Sequence, residues 1–302
     1  MKRILLSLLL LATLLPAAAA APMAKHVVMI GLDAWGSYSM PKADMPTVRM
    51  LMNNGAWTLQ KRAELPSYSA INWASMFMGS CHELHGYCDW GSKTPELPSR
   101  VVLKNGIFPT IFQLVRDQYP QAEIGVITEW DGIKYVVDSL SVNYLSANYD
   151  YINDREAKEK VCVEAENYIK EKKPDFFFVY FAEPDYTGHV VGHDTPEYYD
   201  VLALHDKYIA RVIKAVADAG MLEETIFVVT SDHGGINKGH GGNTLQEMET
   251  PLIFVGKNIR QGHEITESVL QYDVAATLAH IFGITPPQVW IGRPLLSIFE
   301  QP

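Results

Sequence analysis

Apolar residues recur along this chain in two rhythms. Short, nearly continuous runs occupy residues 26–32, 122–128, 175–181, 225–230 and 251–255. Runs of that length predict strands buried on both faces. Between them, apolar positions fall at helical spacing. Helices are predicted over 46–54, closed by Gly55, over 107–118, stopped near Pro120, over 155–172, and over 272–282. The best-marked helix begins at Thr195, a suitable N-cap, with Pro196 and Glu197 in its first turn. Val201, Leu204, Tyr208 and Val212 then recur along one face, and Gly220 lies past the end. Alternating strands and helices predict an α/β fold, with a mostly parallel central sheet flanked by helices on both faces. No repeat or Pro/Gly linker divides the chain.

The first residues change the picture of where the protein works. Met1-Lys2-Arg3 precedes a leucine-rich run over 4–15, then Pro16 and a string of alanines. This pattern predicts a signal peptide over 1–24, cut near Ala21 to Ala24, and one catalytic domain over 25–302. A spanning helix needs about 20 apolar residues, so the run is short for one. The expected location is periplasmic or secreted, with no stable membrane insertion after cleavage; an uncut anchor is the competing reading. The formal net charge is −10, which disfavours binding to a nucleic-acid duplex or another polyanion. An anionic substrate would need local positive charge, and metal ions would supply it. Three cysteines, Cys81, Cys88 and Cys162, leave at least one thiol free. Cys81 and Cys88 are near enough in sequence to pair.

Three of the expected strands end in acidic residues: Leu32-Asp33, Ala182-Glu183-Pro184-Asp185, and Ser231-Asp232-His233. In open α/β sheets, sites form at the carboxyl ends of strands. One such acid is ordinarily a helix cap, but three, two of them with histidines, suit divalent-metal ligation. Asp185 and His189 are four apart and share a face of one helical turn. Asp232 and His233 can serve one ion only if the strand turns there, as Gly234 and Gly235 would permit. His240 lies between glycines in Lys238-Gly-His-Gly-Gly242, and His193 is a rival ligand four residues after His189. Ser67 and Ser69 precede an apolar helical run over 74–78. A serine there sits in the positive potential of a helix start, or serves only as a cap. Asn72 could donate to a non-bridging oxygen. His82, His85, Asp89, Trp90, Trp130, Asp131 and Lys134 are candidates for the pocket wall or for ordinary loops. The stretches 88–101 and 130–154 could form a small cap.

At these residues the chain resembles the alkaline phosphatase superfamily, within it the type I phosphodiesterase/nucleotide pyrophosphatase branch. Val27-Val-Met-Ile-Gly-Leu-Asp33 is similar to the first metal-ligand strand, and Pro66-Ser-Tyr-Ser69-Ala-Ile-Asn72 to the nucleophile motif. Glu183-Pro-Asp-Tyr-Thr-Gly-His189 and Ser231-Asp-His-Gly234 match two further motifs, in order. The resemblance implies an alkaline phosphatase-like fold and two divalent ions, zinc in most members. One would be held by Asp33, Ser69, Asp232 and His233, the other by Asp185, His189 and His240. It also implies a phospho-Ser69 intermediate and a small phosphate-ester substrate. Aligning the asparagines selects Ser69 over Ser67. Serine stands where that branch mostly has threonine, which leaves the monoester or diester choice open. The sulfatase motif Cys-x-Pro-x-Arg is absent. A phosphomutase-like transferase and a non-catalytic metal- or ligand-binding protein are the alternatives; the leader and the intact Ser69 speak against them.

Overall fold

The computed structural model of the protein describes residues 21–147, 149–154 and 156–300. β1 (His26–Leu32) is followed by α1 (Pro46–Asn53), β2 (Gly55–Arg62), α2 (Ser69–Met78) and the one-turn α3 (His82–His85). Next come α4 (Ile111–Gln118), β3 (Ile124–Thr128), β4 (Tyr144–Ser146), α5 (Ala157–Lys172), β5 (Phe176–Phe181), α6 (Glu183–Val191) and α7 (Pro196–Asp218). β6 (Thr225–Thr230), α8 (Leu245–Met248), β7 (Glu249–Gly256), β8 (His263–Glu264) and α9 (Asp273–Ile281) follow.

The strands form one sheet in the order β4-β3-β5-β1-β6-β7-β2-β8. β7 runs antiparallel to its neighbours β6 and β2, and the other pairings are parallel. Side chains alternate across the sheet, so β1 feeds two cores. Val27 and Met29 join Phe77, Phe112 and Leu278 of α2, α4 and α9 on one face. Val28, Ile30 and Leu32 join Val48, Ile169 and Leu202 of α1, α5 and α7 on the other. A strand covered on both faces has no polar side to show, which is why its sequence reads as one apolar run.

The helix signals act as expected. Thr195 Oγ1 accepts from Tyr198 N at 3.3 Å and starts α7. α4 begins four residues later than the expected 107, because Thr110 caps it, accepting from Gln113 N at 3.2 Å. β2 was not expected. Its run Gly55-Ala-Trp-Thr-Leu-Gln-Lys-Arg62 mixes apolar and polar residues without clean alternation, and its partner β7 lies far along the chain. The edge strands β4 and β8 are too short to leave a pattern.

Most of the expected leader lies outside the described residues. Its last residues do not hang free: Met23 N donates to Ile281 O at 2.7 Å and Ala24 is buried. All three cysteines are free thiols. Cys81 and Cys88 do not pair, because α3 and Gly86 stand between them and the Cys88 thiol donates to the Gly86 carbonyl at 3.3 Å. Among the described residues, no helix is long and apolar enough to cross a membrane.

Candidate metal centre and nucleophile

β5, β1 and β6 are adjacent in the sheet, so their carboxyl ends bring Asp185, Asp33 and Asp232 together from distant parts of the chain. Asp33 and Asp232 are buried, and Asp33 Oδ2 accepts from the Tyr180 hydroxyl. Asp232 Oδ1 accepts from Ala34 N at 3.2 Å. That bond, with Tyr198 Oη donating to Ala34 O at 2.6 Å, holds Ala34 at a left-handed φ of 54°. Such strain persists only where its surroundings fix it.

The turn that lets Asp232 and His233 share one centre is braced from every side. Ser231 Oγ accepts from Trp35 N at 2.8 Å and donates to His233 O at 2.9 Å. Buried Lys61, on β2, donates to Ser231 O at 2.8 Å and to the Gln271 side chain. Gln271 Nε2 in turn donates to Asp232 O at 2.9 Å. The glycines supply space rather than conformation: a Cβ on Gly234 would stand 2.0 Å from Gln246 O. Burial lowers the Lys61 ammonium to a pKa of about 7.

The three histidines follow one rule. His233 Nδ1 faces Gly234 O at 2.8 Å, His189 Nδ1 faces Lys238 O at 3.0 Å, and His240 Nδ1 faces Ser67 O at 2.8 Å. A carbonyl can only accept, so each Nδ1 carries the proton and each Nε2 presents its lone pair inward. His189 Nε2 and His240 Nε2 are 3.2 Å apart, and each is 3.4 Å from Asp185 Oδ1. His233 Nε2 is 3.2 Å from Asp232 Oδ2, 3.5 Å from Asp33 Oδ1 and 3.1 Å from Ser69 Oγ. Asp33 Oδ1, Asp185 Oδ1 and Asp232 Oδ2 are buried without a hydrogen-bond partner.

Unpaired carboxylate oxygens facing imidazole lone pairs repel one another unless a cation lies between them. Donors about 2.1 Å from one tetrahedral ion lie about 3.4 Å apart, close to the spacings seen here. The residues therefore fit divalent ions. Burial pushes Asp33 and Asp185 well above the usual carboxylate range, helped by the charge of Asp232 on the first and of Asp33 on the second. Burial raises Asp232 to about 8 and lowers His240 to about 4.

His240, and not His193, joins Asp185 and His189. Its loop is fixed by Ser67, whose Oγ donates to Gly242 O and accepts from Gly241 N, both at 2.9 Å. Gly241 sits at φ +108°, a conformation that glycine adopts freely. Ser67 is thus a loop anchor. His193 is buried against Gly188 and Gly235, with neither ring nitrogen bonded.

Ser69 is the first residue of α2, a turn earlier than the expected helix, and its hydroxyl lies in the dipole's positive end. Asn72 does not face the cleft. Its Nδ2 donates to Glu64 O at 3.3 Å and to Tyr68 O at 3.0 Å, while Oδ1 accepts from Glu64 N at 2.7 Å. With both ends of the amide committed, Asn72 clamps the segment before Ser69 and has no donor left for a phosphoryl oxygen.

A cleft of about 410 Å³ opens over the centre, lined by Asp33, Ser69, Asp185, His189 and His240 and by the aromatic rings of Tyr68, Trp90, Trp130, Tyr151 and Tyr180. Among the described residues it has no Lys or Arg in its wall. The two stretches expected as a cap supply Trp90, Trp130 and Tyr151. Lys134 pairs with Asp131 at 2.9 Å, and His82, His85 and Asp89 stand outside the wall. Sequence reasoning missed Tyr180, Lys61 and Glu129. Glu129 follows β3, its Oε2 accepts from Ala182 N at 2.7 Å, and burial raises it to about 7. An acid after a strand was the same signal that found Asp33, and a lone tyrosine in the Phe-rich run 176–181 marked Tyr180.

Comparison with known proteins agrees with this fold. In solved structures, the chain is similar to murine ectonucleotide pyrophosphatase/phosphodiesterase 5, in an inactive form in complex with AMP. The TM-score is 0.70 at 17% identity, over 87% of this chain and 96% of that one. A mutant of the alkaline phosphatase PafA gives 0.69 at 12% identity, over 93% and 100%. Among curated proteins, GPI ethanolamine phosphate transferase 3 of Schizosaccharomyces pombe is 27% identical over 171 residues, 54% of this chain and 18% of that one. Arylsulfatase K of Xenopus laevis is 31% identical over 108 residues, 34% and 20%. The match thus spans about a fifth of these relatives' length. The family model for type I phosphodiesterase / nucleotide pyrophosphatase matches residues 27–239. The chain belongs to the type I phosphodiesterase/nucleotide pyrophosphatase family, within the alkaline phosphatase superfamily.

Proposed function

We propose that this protein hydrolyses phosphoric diesters with Ser69 as nucleophile. The observation that carries the reading is Ser69 Oγ, at a helix start, 3.1 Å from His233 Nε2, in a centre where three carboxylates each have a buried, unpaired oxygen. A hydroxyl in that setting is activated rather than inert. Two zinc-class ions, one on Asp33, Ser69, Asp232 and His233 and one on Asp185, His189 and His240, would neutralise phosphoryl charge and lower the hydroxyl pKa.

Ser69 Oγ bonds to phosphorus as the bond to the leaving alcohol breaks, and the serine proton ends on that alcohol. Water then attacks the same phosphorus, frees Ser69 and leaves a phosphate monoester. The absence of Lys and Arg from the described wall favours the diester, which carries one negative charge, over the dianionic monoester. The aromatic rings suit a flat ester group on the phosphorus, in keeping with the AMP bound to the murine neighbour.

Rates on bis-p-nitrophenyl and p-nitrophenyl phosphate test this. The diester should react faster, and Ser69→Ala should lose on the order of a thousandfold or more. A faster monoester, or full activity in Ser69→Ala, rejects the reading. A second reading is transfer to an alcohol, since some curated relatives are named ethanolamine phosphate transferases. Product analysis with an added alcohol acceptor separates the two.

A further inference from the structure

A second set of ligand-type side chains lies outside the cleft wall, where the chain leaves β2 and meets α3. Glu64 follows β2, and His82 and Glu83 open α3. One ligand atom from each lies within 4.8 Å of the others. His82 Nδ1 is 3.8 Å from Glu64 Oε1 and 3.5 Å from Glu83 Oε2. These separations are too long for hydrogen bonds. The shorter is the edge length expected of donors around one tetrahedral ion, about 3.4 Å, and falls with the His–Asp spacings of 3.2–3.5 Å in the candidate metal centre; the longer exceeds them by a few tenths of an ångström.

Two of the three donors are left free for such a role. His82 Nδ1 is shielded from solvent yet has no hydrogen-bond partner. Glu64 uses Oε2 for its ordinary structural work, accepting from His82 N at 3.2 Å and from the Ser75 hydroxyl. Its Oε1 is the atom turned to the imidazole. A cap for α3 would explain Oε2 alone; it explains neither Oε1 nor the bare Nδ1. Glu64 is largely buried while Glu83 is exposed, so the set is a pocketed pair with one open side through which a cation can enter.

We propose that Glu64, His82 and Glu83 form a third divalent-cation site of the zinc class, separate from the catalytic centre. One imidazole with two carboxylates suits zinc, with water completing the shell. Burial raises the Glu64 carboxyl to about 7, so a bound cation also resolves a charge that this position holds poorly by itself. The site would act on architecture. The Glu64 backbone is clamped by Asn72, and its side chain by Ser75, both on the helix that begins with Ser69. An ion here fastens α3 to the segment that sets the nucleophile's position.

Zinc is the probe. After equilibration with zinc and removal of loose ions, the wild-type chain should hold about three zinc ions, and His82→Ala and Glu83→Gln about two each. Neither residue lines the cleft, so zinc content and not activity is the readout. The thermal shift that excess zinc gives the wild type should shrink in both. Equal zinc content in wild type and both variants overturns the proposal. Failure of diester hydrolysis alone bears on the catalytic reading and leaves this stoichiometry test untouched.

Discussion

The two halves of the candidate metal centre are built differently. Asp33, Asp232 and His233 have side chains 2%, 0% and 0% exposed, on the ends of central strands. His189 and Asp185 are 44% and 21% exposed and ride on α6, a helix reached from β5, while their third partner His240 is 7% exposed. The dry half is fixed by the sheet itself and by Lys61, Gln271 and Ser231 behind it. The open half hangs on one helical turn and a glycine-flanked loop. Rigid, dry positions would suit an ion held beside the proposed nucleophile, where charge would develop and misplacement is costly. The open half suits entry of water and exchange of ligand.

The sharpest way to break this comparison is to treat both halves alike. Asp232→Asn should lower diester hydrolysis on the order of a thousandfold, with no recovery in excess zinc, because a dry, fixed position cannot be refilled by water. The same variant should unfold at a higher temperature than wild type when both are stripped of metal, since it removes a buried carboxylate that burial already disfavours. Recovery with zinc, or a lower metal-free melting temperature, would refute the dry-half account. His189→Ala should weaken zinc binding by roughly 10–100-fold, and excess zinc should restore most of the rate, as water can take the open position. Titration of activity against free zinc reads this directly; a loss that no zinc concentration repairs puts His189 in the rigid class.

A smaller effect tests whether dryness alone sets the electrostatics of the strand ends. Glu129 is buried after β3, outside both halves, and its carboxyl is raised to about 7. The folded state therefore holds the Glu129 proton more tightly than the unfolded one. This stability is present below about pH 4.5 and is lost as pH rises toward 7. Glu129→Gln keeps an acceptor for Ala182 N and cannot ionise. Its melting temperature should fall less between pH 5 and 7.5 than wild type's, by an amount worth on the order of 2 kcal/mol. Parallel pH profiles for the two proteins would show that Glu129 stays ionised in the folded chain.

Much of this molecule is legible in its sequence alone. Strands buried on both faces announced themselves as apolar runs, because such a strand has no polar side. Thr195 with Pro196 marked the start of α7, because capping is chemistry between near neighbours. The order of Asp33, Ser69, Asp185-x-x-x-His189 and Asp232-His233 pointed to the family. β2 was not legible, since its register depends on β7, almost two hundred residues later. Nor was Asn72's true role: its residue type suits an oxyanion donor, but which way an amide faces is decided by what surrounds it.

By itself, then, the sequence determined which residues could ligate metal, which hydroxyl could attack, and that strands and helices would alternate. These follow from side-chain chemistry and short-range periodicity. Only the tertiary structure decided that Asp33, Asp185 and Asp232 meet, since the adjacency of β5, β1 and β6 is a property of sheet order. It showed how His240, rather than His193, reaches Asp185 and His189, through the Ser67 anchor and the Gly241 turn, and it alone turned Asn72 inward. The physical reason is the same in each case. A ligand set is a matter of separations near 3.4 Å, and contacts between residues so far apart in sequence are set by how the sheet and its loops pack.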